Sequence, residues 1–154
     1  MSLALKLQNY LDATGVPYDV VTHEQTGSSS LTAEASHVSA ANLAKGVVIK
    51  HKGGYLLAVL PAARQIRLDT LGGWLNVPVC LATEEEASAL FPDCGRGAIP
   101  PLPNAYGLAG VIDDSLEGPL DVYCEGGDHC TLVHLSGEAF QRLMGQVPHQ
   151  RFCA

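Results

Sequence analysis

The chain has 154 residues, nearly half of them hydrophobic, and a formal net charge of −7 with only nine lysine and arginine residues. This size and composition predict one folded domain over residues 1–154 and exclude an intrinsically disordered chain. The acidic charge excludes a broad basic surface for nucleic acid, so any nucleic acid must be held over a small area or delivered by a partner.

No hydrophobic run reaches the roughly 20 residues of a membrane-spanning helix, and the N-terminus lacks the pattern of a signal peptide. We therefore expect a cytoplasmic protein without a membrane partner. The five cysteines are odd in number and contain no C-x-x-C pair, which argues against a disulfide framework and a structural zinc site. A strand over 130–135 would place only Cys130 and His134 on one face, so we expect no metal near them.

The first half of the chain is predicted to form helices, strands and one hairpin. In chain order these are a helix over 3–14, a strand over 18–23, a polar loop over 25–30, a short helix over 32–38, and strands over 45–51 and 55–60. Ser2 can cap the first helix and Gly15 can end it. A turn at 52–54 joins the last two strands, whose strongly hydrophobic sequences predict a hairpin at the centre of a sheet.

The second half alternates helices and strands. In chain order these are a helix over 68–75, a strand over 79–82, a helix over 84–90, strands over 108–112, 121–125 and 131–135, and a helix over 137–144. Thr83 and Glu86 form the capping box of the helix at 84–90, so we interpret Glu84, Glu85 and Glu86 as a solvated helix start. Hairpins mixed with helical crossovers predict an α+β (mixed α/β) fold, with one mixed sheet of about six or seven strands flanked by helices.

The Gly95–Pro103 loop contains two glycines and three prolines in nine residues. Glycine lets a ligand approach the main chain closely, and proline stiffens the backbone. A stiff loop with exposed backbone can present amides and carbonyls to a small substrate, although the same composition also suits a tight connection between a helix and a strand.

Several side chains could carry chemistry. Lys45 begins a hydrophobic strand and shares a face with Val47 and Ile49. Its side chain either points into a cavity or extends from the strand end to place its amine in solvent. His23 and His129 could act as general bases, and Ser28, Ser29 and Ser30 either bind substrate or belong to a polar loop. The sequence contains no G-x-S-x-G elbow, P-loop or dinucleotide fingerprint, which excludes the hydrolases, kinases and dehydrogenases built on them.

These parts, in this order and spacing, resemble one family over nearly the whole chain. The segments that carry the resemblance are 45–49, 58–61, 97–102, 111–113 and 123–127. The chain is similar to the YbaK/prolyl-tRNA-synthetase-associated (INS-like) editing domains, which include free-standing deacylases of mischarged tRNA. The resemblance implies the fold of that family and an aminoacyl-tRNA deacylase that uses no cofactor and binds no DNA.

The resemblance also assigns roles to residues. The family's G-x-x-x-P loop falls on Gly97, Ala98, Ile99, Pro100 and Pro101, whose backbone would hold the aminoacyl group and the reactive water. The family lysine falls on Lys45, which would contact a phosphate or the 3′-terminal adenosine. The family's Gly-Gly turn falls on Gly126 and Gly127 and makes Asp128 and His129 residues of the pocket rim.

The implied partner is the acceptor end of a mischarged tRNA, with an aminoacyl-tRNA synthetase or an elongation factor as a further candidate that presents it. Hydrolysis of such an ester needs only a well-held water, which agrees with the missing catalytic triad. The alternative is a non-catalytic module that binds a small aminoacyl-like ligand or a synthetase. That alternative is favoured by the acidic charge and by Asp128 and His129, which stand where the family is often basic. A second departure is Pro103, in place of a common glycine, which favours a reshaped loop.

Overall fold

The computed structural model describes residues 3–24, 38–118 and 121–154. Its helices are α1 (Leu5–Thr14), α2 (Leu68–Leu75), α3 (Glu84–Leu90) and α4 (Gly137–Met144). Its strands are β1 (Asp19–Thr22), β2 (Leu43–His51), β3 (Gly54–Pro61), β4 (Val79–Leu81), β5 (Ala109–Asp113), β6 (Asp121–Glu125), β7 (Thr131–Ser136) and β8 (His149–Gln150). Two 3₁₀ turns, Pro103–Tyr106 and Asp114–Leu116, flank β5. No helix within these ranges is long and hydrophobic enough to cross a membrane.

The strands form one mixed sheet in the order β1-β7-β6-β2-β3-β5-β8, and β4 pairs with β2. The α+β class is confirmed, and the hairpin of β2 and β3 lies at the centre of the sheet as predicted. The described part of the chain contributes eight strands, one more than the upper prediction. The additional strand, β8, has two residues and too little sequence pattern to be recognised.

Helices cover both faces of the sheet because successive residues of the central strands point to opposite sides. Val48 joins the large hydrophobic cluster under α1, α3 and α4, whereas its neighbour Ile49 joins a second cluster under α2. A third, smaller cluster around Leu43 and Leu132 lies beneath β1 and β7. The molecule is therefore a three-layer structure with the β2–β3 hairpin buried at its middle.

Most helix ends follow the predicted local chemistry. The Thr83–Glu86 capping box is present, Ser136 caps α4, and Gly15 ends α1 in the left-handed conformation. The first helix begins at Leu5 after Ala4, which makes no side-chain capping bond, so the predicted start at residue 3 was wrong by two residues. The proposed cap Ser2, the loop at 25–30 and most of the helix at 32–38 lie outside the described residues.

One side of β2 has a gap in its pairing. β6 pairs in parallel with Leu43 and Ala44, and β4 pairs antiparallel with 49–51, so no strand of the described residues covers 45–47 on that side. The amide of Ala82 donates to the carbonyl of Val48, 3.0 Å away, and closes the far end of the gap. Because backbone groups alternate along a strand, the N–H and C=O of Gly46 face into this gap.

Candidate functional site

The Gly95–Pro103 loop lies over the gap and is fixed at several points. The amide of Gly95 donates to the carbonyl of Gly127 at 2.7 Å, and the amide of Ala98 donates back to Gly95 at 3.0 Å. The Nε2 of His129 donates to the carbonyl of Arg96 at 2.5 Å. From Ala98 onward the loop is largely buried, while Gly95, Arg96 and Gly97 are exposed. The loop therefore presents three exposed residues on a well-held base.

Two consecutive amides in the exposed part of the loop have no hydrogen-bond partner among the described residues. Within the described residues, the amides of Gly95 and Ala98 are hydrogen-bonded, and those of Arg96 and Gly97 are not. Gly97 has φ +82°, a conformation that favours glycine. Free, oriented amides on a rigid loop are suited to bind a carboxyl, carbonyl or phosphate oxygen.

The loop approaches β2 so closely that Gly46 has no room for a side chain without movement. A Cβ on Gly46 would lie 3.0 Å from Leu57 Cδ1, 3.3 Å from Ile99 Cγ2 and 3.4 Å from Pro101 Cα. Ile99 and Pro101 thus pack directly on the backbone of the central strand. This contact sets the height of the loop above the gap.

A cavity of about 220 Å³ opens between the loop, the gap in β2 and helix α3. Its walls are mainly hydrophobic and small, with the polar groups of Thr83, Glu84, Ser88 and Arg96 at its edge. The residues that line it are Gly46, Val47, Val48, Leu81, Ala82, Thr83, Glu84, Ala87, Ser88, Phe91, Gly95, Arg96, Gly97 and Ile99. It is smaller than the roughly 300 Å³ at which pockets for drug-sized ligands begin. A small ligand is therefore the kind that fits.

The Gly126–Gly127 turn supports the loop from below. A Cβ on Gly126 would lie 2.8 Å from the Thr131 carbonyl oxygen, and one on Gly127 would lie 2.8 Å from Ala4 Cβ. Gly127 also has φ +108°. Both positions require glycine because the start of α1 and strand β7 pack against bare backbone. The turn therefore fixes the loop through the Gly127 carbonyl and the His129 ring.

Lys45 lies on the face of β2 opposite to Gly46, with a half-buried side chain. Burial lowers its pKa, and the nearby Cys153 acts in the opposite direction. No carboxylate of the described residues lies within 4.0 Å of its amine, and it does not line the cavity. Lys45 therefore borders the gap from the other side of the strand.

Residues 23–143 match the family described as the aminoacyl-tRNA editing domain. The chain belongs to this family. Among solved structures, the hypothetical protein APE2540 is 21% identical with a TM-score of 0.84, covering 97% of this chain and 99% of its own. A proposed trans-editing enzyme for prolyl-tRNA synthetase is 21% identical with a TM-score of 0.82, covering 98% and 96%. These structures share the fold. No curated protein sequence matches the chain.

The editing domain brings most of the predicted site residues to one region. Gly97 and His129 are adjacent, since a Cβ on Gly97 would lie 3.6 Å from His129 Cε1. Ile99 and Pro101 touch Gly46, while Ala98 and Pro100 are buried and anchor the loop. Ser28, Ser29 and Ser30 lie outside the described residues. Asp128 is not free to bind a ligand, because it accepts hydrogen bonds from the Cys130 amide and the Thr131 hydroxyl, both at 2.9 Å.

His23 of the editing domain directly follows β1, beside this region. Its amide donates to the carbonyl of Cys130 at 2.8 Å, and its Nδ1 donates to the carbonyl of Glu24 at 2.6 Å. Its Nε2 is buried and has no hydrogen-bond partner among the described residues. The ring is therefore held through Nδ1, and its Nε2 is shielded from solvent.

Sequence reasoning missed the cluster that fixes the start of the loop to α1. Asp93 accepts hydrogen bonds from the Lys6 amide at 2.9 Å and the Tyr106 hydroxyl at 2.8 Å. Burial alone would raise the pKa of Asp93, but these bonds hold it below its ordinary value. Burial raises the pKa of the adjacent Cys94 thiol to about 12, so this cysteine is a poor nucleophile. No spacing rule in the sequence connects residues 6, 93 and 106.

The acidic start of α3 is a helix start as interpreted, with one addition. Arg96 reaches Glu84 and Glu85 at 3.2 and 3.3 Å from exposed positions, where ion pairs contribute little. Glu86 is more than a cap: it accepts from the Tyr55 hydroxyl at 2.5 Å and lies 2.8 Å from the Lys50 amine. The Lys50 contact, with the Thr83 amide and Tyr55, lowers the pKa of Glu86 to about 2. Glu86 therefore ties α3 to the central hairpin.

Proposed function

We propose that this editing domain is a deacylase that hydrolyses the ester between a small, wrongly attached amino acid and the 3′ end of a tRNA. Family membership supports the tRNA substrate. The observation that carries the hydrolytic role is the pair of unbonded amides at Arg96 and Gly97, held rigidly beside a small cavity. A cavity of about 220 Å³ favours a small amino acid, and rejection of larger ones would follow from its volume.

In the proposed mechanism the substrate lies across the gap in β2. The amino acid side chain occupies the cavity, and the ester carbonyl faces the amides of Arg96 and Gly97. A water attacks the carbonyl carbon, and the amides stabilise the negative charge that develops on the carbonyl oxygen. The ribose oxygen then leaves with a proton that originates from the water, giving a free amino acid and an intact tRNA end.

Two side chains have supporting roles in this proposal. Lys45, on the far side of the same strand edge, contacts a phosphate or the terminal adenosine. His23, whose buried Nε2 has no partner among the described residues, contacts the substrate or the water. A triad is not required, because the tRNA supplies a ribose hydroxyl next to the ester and the protein supplies position and charge.

The test is a deacylation time course on tRNAs charged with alanine, serine, cysteine, threonine or proline. Mischarged tRNAs for proline come first, because a similar structure is that of a proposed trans-editing enzyme for prolyl-tRNA synthetase. Hydrolysis of one small-residue ester, lost in Lys45→Ala, would support the proposal. Stable esters throughout, with and without a synthetase or elongation factor, would refute it and leave a binding module.

A further inference from the structure

Three arginines form a group at the edge of the sheet, away from the loop. The last residues of the chain pair with 65–67: Arg67 donates its amide to the Phe152 carbonyl at 2.7 Å, and Gln65 and Ala154 exchange hydrogen bonds of 2.9 and 3.0 Å. This pairing brings Arg151 between Arg64 and Arg67. One cavity of about 290 Å³ is lined by Arg64 and Arg151, and a second of about 160 Å³ by Arg67 and Arg151.

All three arginine side chains are exposed. Within the described ranges, none of them lies within 4.0 Å of a carboxylate, unlike Arg96 with its two glutamates. Three of only nine lysines and arginines thus meet in a chain of net charge −7. Such a concentration of free guanidinium groups is suited to bind phosphate, which arginine contacts through a planar fork of donors.

Two carboxylates, Asp113 and Asp114, line the larger of the two arginine cavities. Asp113 is buried and accepts from the Ser115 amide and hydroxyl at 3.0 and 2.5 Å, and from the Phe152 amide at 2.9 Å. Asp114 is exposed at the rim of the larger cavity and groups with Glu117 and His149. Both charges oppose an anion, and that of Asp114 can be removed without breaking the hydrogen bonds that Asp113 accepts.

The group is continuous with the proposed site. Cys153 lines both arginine cavities and is also the residue that acts on the pKa of Lys45. Lys45 lies near the start of β2, at the end of the sheet where β3 finishes, and Arg64 follows three residues after Pro61. A chain of phosphates that starts at Lys45 can therefore run along this edge over Arg64 and Arg151 to Arg67.

We propose that Arg64, Arg67 and Arg151 bind successive phosphates of the single-stranded 3′ end of the tRNA. This inference rests on the proposed function, since it extends the substrate from the ester outward. The arginines would give this acidic protein a local surface for RNA. The tRNA would contact Lys45 next to its ester and then the arginines in order. The two adjoining cavities, which share Arg151, match a repeating ligand better than a single free anion.

The experiment measures binding of uncharged tRNA by fluorescence anisotropy at several salt concentrations. For single strands, each neutralised phosphate contributes about 0.7 to the slope of log K against log salt. Arg64→Gln/Arg151→Gln should therefore lower the magnitude of the slope by roughly 1.4, which corresponds to roughly 25-fold weaker binding at 0.1 M salt. Arg142→Gln is the matched control, because Arg142 is exposed on α4, which packs on the opposite face of the sheet.

A second variant works in the opposite direction and does not depend on losing a contact. Asp114→Asn removes one of the two opposing charges and should strengthen tRNA binding severalfold. Thermal unfolding curves check that each variant is folded. In deacylation assays the arginine variants should raise KM. Unchanged affinity and slope in Arg64→Gln/Arg151→Gln, or equal losses in Arg142→Gln, would overturn the inference.

The two proposals fail separately. If the wild-type protein deacylates tRNA and the arginine variants bind it normally, the arginine surface is wrong and the deacylase stands. The wild-type protein could instead hydrolyse no ester while the arginine variants show the expected smaller slope of log K against log salt. That result would support the arginine surface and refute the deacylase. Absence of tRNA binding by the wild-type protein would overturn the surface.

Discussion

Substitution of Gly97 by alanine tests whether the Gly95–Pro103 loop is catalytic or only connects a helix to a strand. The added methyl group would lie 3.6 Å from His129 Cε1, an ordinary contact, so it creates no clash. It would lie beside the His129 ring, at a backbone conformation of φ +82° that a residue with a Cβ rarely adopts, so the segment that carries the amides of Arg96 and Gly97 must adjust. We expect this adjustment to move the amides away from the ester and to lower kcat/KM at least roughly tenfold, since loss of one such donor costs about 10²–10³.

The effect on stability is small and can be matched. Gly97 has φ +82°, a region that costs a residue with a Cβ about 1–2 kcal/mol, partly offset by lower entropy of the unfolded chain. We expect a net loss of about 1 kcal/mol, which lowers Tm by about 2–4 °C in a protein of this size. Gly107, with φ +66° and no atom within 4 Å of an added Cβ, has similar strain away from the cavity. Gly107→Ala is therefore the matched control.

The assay compares deacylation of the preferred charged tRNA by the wild-type protein and both variants, together with thermal unfolding. The reasoning predicts equal Tm losses and a kinetic loss only in Gly97→Ala. Kinetics within about twofold of wild type in Gly97→Ala, at a Tm equal to that of Gly107→Ala, would refute the catalytic role of the loop. Equal kinetic losses in both variants would assign the effect to strain.

Three further substitutions test the cavity, the lysine and the link between α3 and the hairpin. Lys45→Met should abolish most deacylation and leave Tm unchanged or higher, because burial disfavours the charged amine; a clear fall in Tm would make Lys45 structural. Ala87→Met should narrow the cavity and raise KM, whereas Ala89→Met on the exposed side of α3 should match wild type; equal kinetics in both would place the amino acid elsewhere. Lys50 is the main cause that holds the pKa of Glu86 at about 2, so the ionised Glu86 should stabilise the fold above pH 4.5 and lose this contribution as pH falls towards 2. Glu86→Gln should therefore flatten that part of the Tm–pH curve. An unchanged curve would contradict the stabilising role of Glu86.

The sequence predicted the central features because they depend on local patterns. The β2–β3 hairpin follows from two hydrophobic runs around a Gly-Gly turn, and the cap of α3 follows from Thr83 and Glu86. The stiff Gly95–Pro103 loop follows from its glycines and prolines. In each case neighbouring residues determine the structure, so one segment is enough to recognise it.

Contacts between distant segments could not be predicted in the same way. The bond from Lys6 to Asp93, the pairing of Arg67 with Phe152 and the gap in β2 depend on which strands become neighbours. The alternation of side chains along β2 predicts that Lys45 and Gly46 lie on opposite faces of the sheet. Which face lies under the loop follows only from the tertiary contacts of Gly46 with Ile99 and Pro101. The position of His23 likewise depends on a distant segment, because its amide donates to the carbonyl of Cys130.

The contact between Gly46 and the loop also protects the alignment of the hairpin. A shift of β2 by one residue would exchange its two faces and bring Lys45 or Val47 beneath Ile99 and Pro101. Even a methyl group is tightly confined there, so the larger side chain would force the loop off the sheet and expose Ala98 and Leu102. A misaligned hairpin therefore cannot keep the loop in place, and the protein forms its site only when its longest strand pair is correctly registered.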